Sequence, residues 1–124
     1  MSAIVYPAEW KGRIVYTIDL LLFLREQVRK GVILDMFMGS THTHALNAFI
    51  AGSEQALRHN GFPDREYSEF VAWLRDAKKD YPCEGWAVKY LRDCGGDHLA
   101  AIKKFLEFVA EFRETRRGNE ARGL

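Results

Sequence analysis

Apolar residues recur at every third or fourth position along most of this chain, the spacing that places them on one face of an α-helix. The last long segment shows this most clearly, because charged residues fill the face opposite its apolar stripe. That stripe consists of Ile102, Phe105, Leu106, Val109 and Phe112. The pattern predicts an all-α fold, a compact single-domain bundle of about five helices that pack through their apolar faces.

Capping residues, glycines and prolines between the stripes predict where the helices begin and end. Thr17, Ser40 or Thr41, Asp64 and Asp97 are the predicted N-caps, because their side-chain oxygens can accept hydrogen bonds from the first free backbone N–H groups. The predicted helices span about residues 17–30, 41–59, 64–80, 83–94 and 97–115. The apolar connection 31–39 is expected to pack on the core.

Residues 1–16 are interpreted as an arm with one helical turn at residues 7–10. A short β-hairpin is the alternative, because residues 4–6 and 14–16 are triplets of β-branched and aromatic side chains. An isolated two-stranded ribbon is marginal in water, which favours the arm. The single domain is predicted to cover residues 1–116, and residues 117–124 are expected to form a frayed basic tail without apolar periodicity.

A stripe of small residues lies beside the apolar stripe of the second predicted helix. Small side chains at helical spacing allow another helix to approach closely. We therefore expect this stripe to be a packing surface, formed by Ala45, Ala48, Gly52 and Ala56.

Composition and net charge argue against some classes of function. The chain has 124 residues, of which 48% are hydrophobic and 28% charged, as in ordinary globular domains. Its formal net charge is +1, which gives no concentrated cationic field for nucleic acid or an acidic membrane surface. Its longest apolar run, residues 20–24, is too short to span a bilayer.

The two cysteines and the beginning of the sequence bear on the compartment. Residues 1–10 show neither a charged segment nor a sustained apolar run of the kind that targeting signals carry. Cys83 and Cys94 lie on one predicted helix, where eleven residues separate them by roughly 16 Å, beyond the reach of a disulfide. Two free thiols and no targeting signal predict a cytoplasmic protein.

Histidine and cysteine residues raise the question of a metal or thiol site. His42 and His44 are two apart, so they diverge in a regular helix and could share an ion only at its first turn or in a loop. We interpret them as solvated or capping residues. Cys94 falls on an apolar face, and Cys83 precedes a helix without an identified base. No catalytic, cofactor or metal residue is predicted.

A group of charged and aromatic residues surrounds the break between the third and fourth predicted helices. A solvated surface is the plain interpretation, since lysines alternate with the carboxylates. The alternative is a protein interface, because aromatic side chains ringed by charges are typical of interfaces. The candidate partner-binding residues are Trp73, Asp76, Asp80, Tyr81 and Glu84.

The order of landmarks resembles that of small all-helical bacterial immunity proteins associated with polymorphic toxins. Residues 35–39 look like their "Pro-Gly-Met-Tyr-x-Gly" turn, although Leu34-Asp35 stands where Pro-Gly would be expected, and residues 46–52 are similar to their "Leu-x-x-Phe-x-x-Gly" helix. The further landmarks are Glu69-Phe70-x-x-Trp73-Leu74, Gly85-Trp86, and Phe105, Phe108 and Phe112 of the last helix.

This resemblance implies a non-enzymatic, cytoplasmic monomer or homodimer that binds and neutralises a cognate toxin without a cofactor. Toxins of this kind are often cationic nucleases, for which acidic and aromatic contacts would suit. One alternative is a helical scaffold or regulatory subunit that forms a homo-oligomer. A further alternative is a metal- or thiol-dependent enzyme that uses His42, His44 and Cys83.

Overall fold

Six α-helices make up the fold in the computed structural model, which describes residues 4–123 and contains no strand within that range. The predicted all-α bundle is thereby confirmed. The helices are α1 (Thr17–Arg29), α2 (Asp35–Met38), α3 (Thr43–His59), α4 (Arg65–Asp76), α5 (Trp86–Asp93) and α6 (His98–Ala121).

The N-terminal arm packs on α1 through aromatic rings. It contains a single turn of 3-10 helix, Ala8–Trp10, and no hairpin among its described residues. The ring centroids of Tyr6 and Trp10 lie 5.0 and 5.2 Å from that of Phe23 on α1. The interpretation as an arm with one helical turn is therefore confirmed for residues 4–16, and residues 1–3 lie outside the described range.

Helix α6 is the centre of the core, because α1, α3, α4 and α5 all approach it. Phe105 of α6 is fully buried. Its ring stacks on Trp86 of α5 at 4.0 Å between centroids and meets the ring of Phe70 of α4 edge-on at 5.6 Å. Aromatic pairs of this geometry add about 0.5–1.5 kcal/mol each to the burial of the rings.

Asp64 caps two helices with its two carboxylate oxygens. Oδ1 accepts a hydrogen bond from the backbone N–H of Tyr67 in α4, at 3.2 Å, and Oδ2 accepts one from the N–H of Thr17 in α1, at 3.0 Å. Asp97 caps α6 by accepting from the N–H of Ala100. The caps predicted at Asp64 and Asp97 are confirmed.

The caps predicted for the first two long helices are wrong. Thr17 is the first residue of α1 and not its cap, and its hydroxyl lies 3.1 Å from that of Ser53 on α3. Helix α3 has His42 as its N-cap, and the Thr41 hydroxyl donates instead to Asp35 Oδ1 at 2.7 Å. The apolar connection also contains a short helix, α2, that the periodicity did not indicate.

Helix α6 continues to Ala121, so the prediction that residues 117–124 fray is wrong for the described part of that tail. Charged side chains, and not an apolar stripe, line this extension. Arg116 bonds Glu69 of α4 at 2.7 Å and lies 3.6 Å from Glu120, one turn further along its own helix. Ion pairs of the second kind stabilise exposed helices by a few tenths of a kcal/mol. Leu124 lies outside the described residues.

Three of the four small residues of α3 face solvent, and the fourth, Ala45, is half-buried. Ala48, Gly52 and Ala56 are exposed, and a Cβ atom added to Gly52 would meet no atom within 4 Å. The expectation of a close helix approach on this stripe is therefore wrong for the described chain. Gly52 lies in the middle of α3, on its exposed face.

Replacing Gly52 with Ala should stabilise the protein by about 0.5–1 kcal/mol, because glycine loses more backbone freedom in a helix than alanine. Urea denaturation would measure the change in the free energy of unfolding. Gly31→Ala is the matched control, since φ of Gly31 is +84° and alanine there should destabilise. Loss of stability in Gly52→Ala would show that this face is covered in solution.

Arg113 joins three helices through its guanidinium group. On α6, it donates to Glu66 of α4 at 3.0 and 3.2 Å and to Asp19 of α1 at 3.0 Å. Its side chain is 18% exposed, so these charge-assisted bonds are partly shielded from water.

Arg113→Met should lower the free energy of unfolding by about 2 kcal/mol, because it leaves two neighbouring carboxylates without their shared cation. Arg117→Met should change it by less than about 0.5 kcal/mol, since Arg117 is 64% exposed and lies 3.8 Å from Glu114. Urea denaturation of both variants measures the difference. Equal effects would contradict a structural role for the Arg113 bonds.

Candidate functional site

Trp73 of α4 belongs to the edge of the core. It is half-buried, and its ring packs on Phe70 and Phe112 with centroids 6.1 and 5.6 Å away. The ammonium group of Lys78 lies 5.7 Å from the Trp73 ring centroid and bonds Glu111 of α6 at 2.7 Å. Trp73 is therefore held by its own domain on several sides.

The three predicted acidic contacts all have cations of the same chain beside them. Asp76 bonds Arg75 at 2.9 Å, and this hydrogen bond holds the pKa of the Asp76 carboxyl below its ordinary value. Asp80 lies 2.6 Å from Lys89. Glu84 bonds Arg92 at 2.7 Å. A partner that used these carboxylates would have to compete with an existing ion pair.

Tyr81, one of the five predicted contact residues, lines two grooves of the surface. Its side chain is half-buried. It lines a groove of about 430 Å³ together with Arg75, Asp76, Lys79, Pro82 and Lys89. It also lines a second groove, between α3 and α4, of about 340 Å³. Of the five predicted residues, Asp76 and Tyr81 line this first groove together.

The second groove, called here the α3–α4 groove, lies between two helices whose backbones stay apart. No Cα atom of α3 lies within 8 Å of one of α4. Besides Tyr81, its lining consists of Asn47, Ile50, Ala51, Glu54, Tyr67, Ser68 and Val71. A recess of about 380 Å³ adjoins it, shares Glu54 and Ser68 with it, and extends to Arg58 and Asp64. The groove and this recess together are called here the channel.

Glu54 and Tyr67 are two groove residues with titratable side chains that the sequence analysis missed. Burial, and secondly the charge of Asp64, raise the pKa of the half-buried Glu54 carboxyl. Tyr67 is 5% exposed, and burial raises the pKa of its phenol. A signal for Glu54 was present, since it stands four residues after Ile50 and three before Leu57, so a charge interrupts an apolar helical stripe.

No known protein family, curated protein sequence or solved structure matches this chain. The resemblance to immunity proteins is thus neither supported nor contradicted by these comparisons. Any functional argument depends on the geometry and chemistry of the described residues.

The structure gives the two thiols separate settings. Cys83 is exposed, Cys94 is half-buried against the core, and both are free. Among residues 4–123, no group of three or more His, Cys, Asp and Glu side chains is arranged to hold a metal ion. Within the same range, no helix has both the length and the apolar character needed to cross a bilayer.

Three imidazole rings meet where α3 and α6 begin. His42 and His44 are exposed, with centroids 6.0 Å apart, and the ring of His98 lies 3.6 Å from that of His42. His98 was not predicted to join them, because it is more than fifty residues away in sequence. The backbone N–H of Thr43 donates to His98 Nδ1 at 3.2 Å. His98 thereby caps α3 from the first position of α6.

This contact requires neutral His98, because a protonated Nδ1 cannot accept a hydrogen bond. Desolvation lowers the pKa of His98, and the neighbouring His42 and His44 add to the effect, while Asp97 opposes it. Positive charge is also unfavourable at the N-termini of both helices. Protonation of His98 should therefore weaken the joint between α3 and α6.

The free energy of unfolding should decrease on acidification, because His98 becomes protonated. The folded-state pKa of His98 lies below its ordinary value of 6.5, so the unfolded chain binds more protons near and below that pH. The contribution is complete above about pH 6.5 and is lost as the pH falls through the folded-state pKa. His98→Asn retains an acceptor but cannot titrate, so the decrease in Tm between about pH 7 and pH 5 should shrink.

Circular dichroism melting curves at a series of pH values would measure this change. His59→Asn is the control, because His59 is exposed near the end of α3, at a distance in sequence from the imidazole cluster. An unchanged pH dependence in His98→Asn would contradict the assigned role of the Thr43–His98 bond.

Proposed function

We propose that this protein is a non-enzymatic protein-binding module, specifically an immunity protein that neutralises a cognate bacterial toxin in the cytoplasm. The proposal places the contact surface at Tyr81 and the α3–α4 groove, and it requires no cofactor. The observation that carries it is this groove, which brings Tyr81, a predicted contact residue, together with Tyr67 and the carboxylate of Glu54.

The chemistry of the groove suits a protein partner. Tyrosine is enriched among the residues that dominate binding energy at interfaces, and such residues work best in partly enclosed positions from which water can be excluded. Tyr81 is already half-buried and packed against the core. Its side chain therefore loses little conformational freedom when a partner covers it.

Of the other predicted contacts, Asp76 is retained in the proposed interface at its margin. It lines the groove on the other side of Tyr81. Trp73, Asp80 and Glu84 are assigned supporting roles, because aromatic rings or cations of the same chain engage their side chains.

A growth-rescue assay tests the proposal directly. The toxin encoded by the adjacent reading frame would be expressed with and without this protein, and the purified pair would be titrated by calorimetry. Tyr81→Ala should raise Kd about 30-fold, the effect of losing roughly 2 kcal/mol at an interface anchor, and should weaken rescue.

Tyr6→Ala is the matched control, since Tyr6 is 55% exposed on the N-terminal arm and does not line either Tyr81 groove. It should leave Kd within about twofold of the wild-type value. The absence of a toxic product from the neighbouring frame, or rescue that is equal with Tyr81→Ala, would contradict the proposal.

The alternative function, a scaffold or regulatory subunit that acts as a homo-oligomer, is favoured by a different surface. Ile33 and Met36 are 64% and 55% exposed around the beginning of α2. Burial of such side chains between copies would be favourable. Light scattering after size exclusion discriminates, because a strict monomer at micromolar concentration would remove this alternative while leaving toxin binding open.

A further inference from the structure

The hydroxyl group of Tyr67 is a polar group of the α3–α4 groove that remains open to water, since it is not among the buried unpartnered side-chain atoms of the described residues. Tyr67 is 95% buried, since 5% of it is exposed, yet it lines the groove. Its backbone N–H is bonded to Asp64, but no hydrogen bond of its hydroxyl to any residue in the range 4–123 is found. Water can satisfy this hydroxyl in the free protein, and a ligand that enters the groove has to replace that hydrogen bond.

Glu54 supplies a negative charge at the same place. Its carboxylate is half-buried in the groove and forms no ion pair within the described part of the chain. Arg58, one turn further along α3, acts on it only through its electrostatic field, and Asp64 opposes that field. Carboxylates that are partly removed from water normally gain a cation or several hydrogen bonds in compensation.

Tyr81 completes the group from the other side. Burial raises the pKa of the Tyr81 phenol, and the charge of Glu54 adds to this, as it also does for Tyr67. Both phenols therefore stay protonated and neutral at physiological pH, and their oxygens can accept hydrogen bonds. Asn47 and Ser68 add further polar groups to the lining.

These groups select among ligands by charge. A carboxylate or phosphate would meet the negative charge of Glu54, and an apolar side chain would leave Glu54 and the Tyr67 hydroxyl without partners. An ammonium or guanidinium group would neutralise Glu54 and donate to the phenol oxygens. Tyrosine rings beside it would add a cation–π contribution.

We propose that the α3–α4 groove binds one basic side chain, lysine or arginine, of the partner protein, with Glu54 as counter-ion and Tyr67 and Tyr81 as hydrogen-bond acceptors. This inference rests on the proposed protein-binding function and specifies the chemistry of its contact. It assigns a role to Glu54 and Tyr67 that is separate from that of the ion-paired carboxylates Asp76, Asp80 and Glu84.

An NMR titration with small probes tests the groove without the partner. Nα-acetyl-arginine methylamide and Nα-acetyl-lysine methylamide carry the proposed cations, and the citrulline analogue is a neutral match for arginine. The two cationic probes should shift the Glu54 side-chain carboxyl and the Tyr67 and Tyr81 ring signals with millimolar Kd, and the citrulline probe should not.

Two conservative variants identify the groups responsible. Glu54→Gln should raise Kd for the cationic probes about fivefold, the upper range for a partly exposed ion pair, and Tyr67→Phe should raise it about threefold by removing one hydroxyl. Glu26→Gln is the control, because Glu26 is an exposed glutamate on α1 that does not line this groove. It should leave Kd unchanged.

The outcomes separate this inference from the proposed function. The absence of groove shifts up to about 50 mM probe, or equal shifts with citrulline, would overturn the cation site even where Tyr81→Ala abolishes toxin binding. Tighter binding of putrescine than of either capped amino acid would overturn the assignment to a protein side chain. Charge-selective shifts without any Tyr81-dependent partner would sustain the site and overturn the proposed function.

Discussion

The buried face of α6 is the constraint on which the rest of the structure depends. Phe105 lies between Trp86 and Phe70, so one ring connects α6 to both α5 and α4. Helices α1 and α3 also approach α6. Helices α3 and α4 each approach α6, but no Cα atom of one lies within 8 Å of a Cα atom of the other, so the groove between them results from how the core is shared. The candidate site is thus a product of core packing and not of a separate insertion.

Polar contacts at one end of the groove hold its walls in place. Asp64 joins the beginnings of α1 and α4, since its two oxygens accept one backbone N–H from each. Thr17, the first residue of α1, also contacts Ser53 on α3 through its hydroxyl. Helix α1 is therefore tied to both walls of the channel by short-range polar bonds. Such ties favour a preformed recess, in which less ordering is required when a ligand binds.

Local information in the sequence was enough to predict the five longer helices, but not the short α2 or the contacts between helices. Apolar periodicity and the caps at Asp64 and Asp97 depend on residues within one or two turns, and they were predicted correctly. The end of α6 was not predicted correctly. The charged residues there pair with distant positions, as Arg116 does with Glu69, 47 positions earlier in the chain. The contact of His98 with His42 was missed as well, because the two residues are far apart in sequence. Periodicity carries no signal for partners that are distant in sequence.

The candidate site shows the same limit, because the local sequence does not reveal which carboxylates form ion pairs. Local density of acidic residues pointed to Asp76, Asp80 and Glu84, yet each of these lies beside a cation of its own chain. Glu54 stands without acidic neighbours in sequence, and its importance follows only from its half-buried position and its lack of an ion pair.

The difference between paired and unpaired carboxylates decides which of them can contribute to binding. A ligand cation that approaches Asp76 must displace Arg75, so the gain from the new ion pair is offset by the loss of the old one. A cation that approaches Glu54 displaces only water from a carboxylate that folding has already partly desolvated. The net gain is therefore larger at Glu54, although the surface around Asp76 is richer in charge.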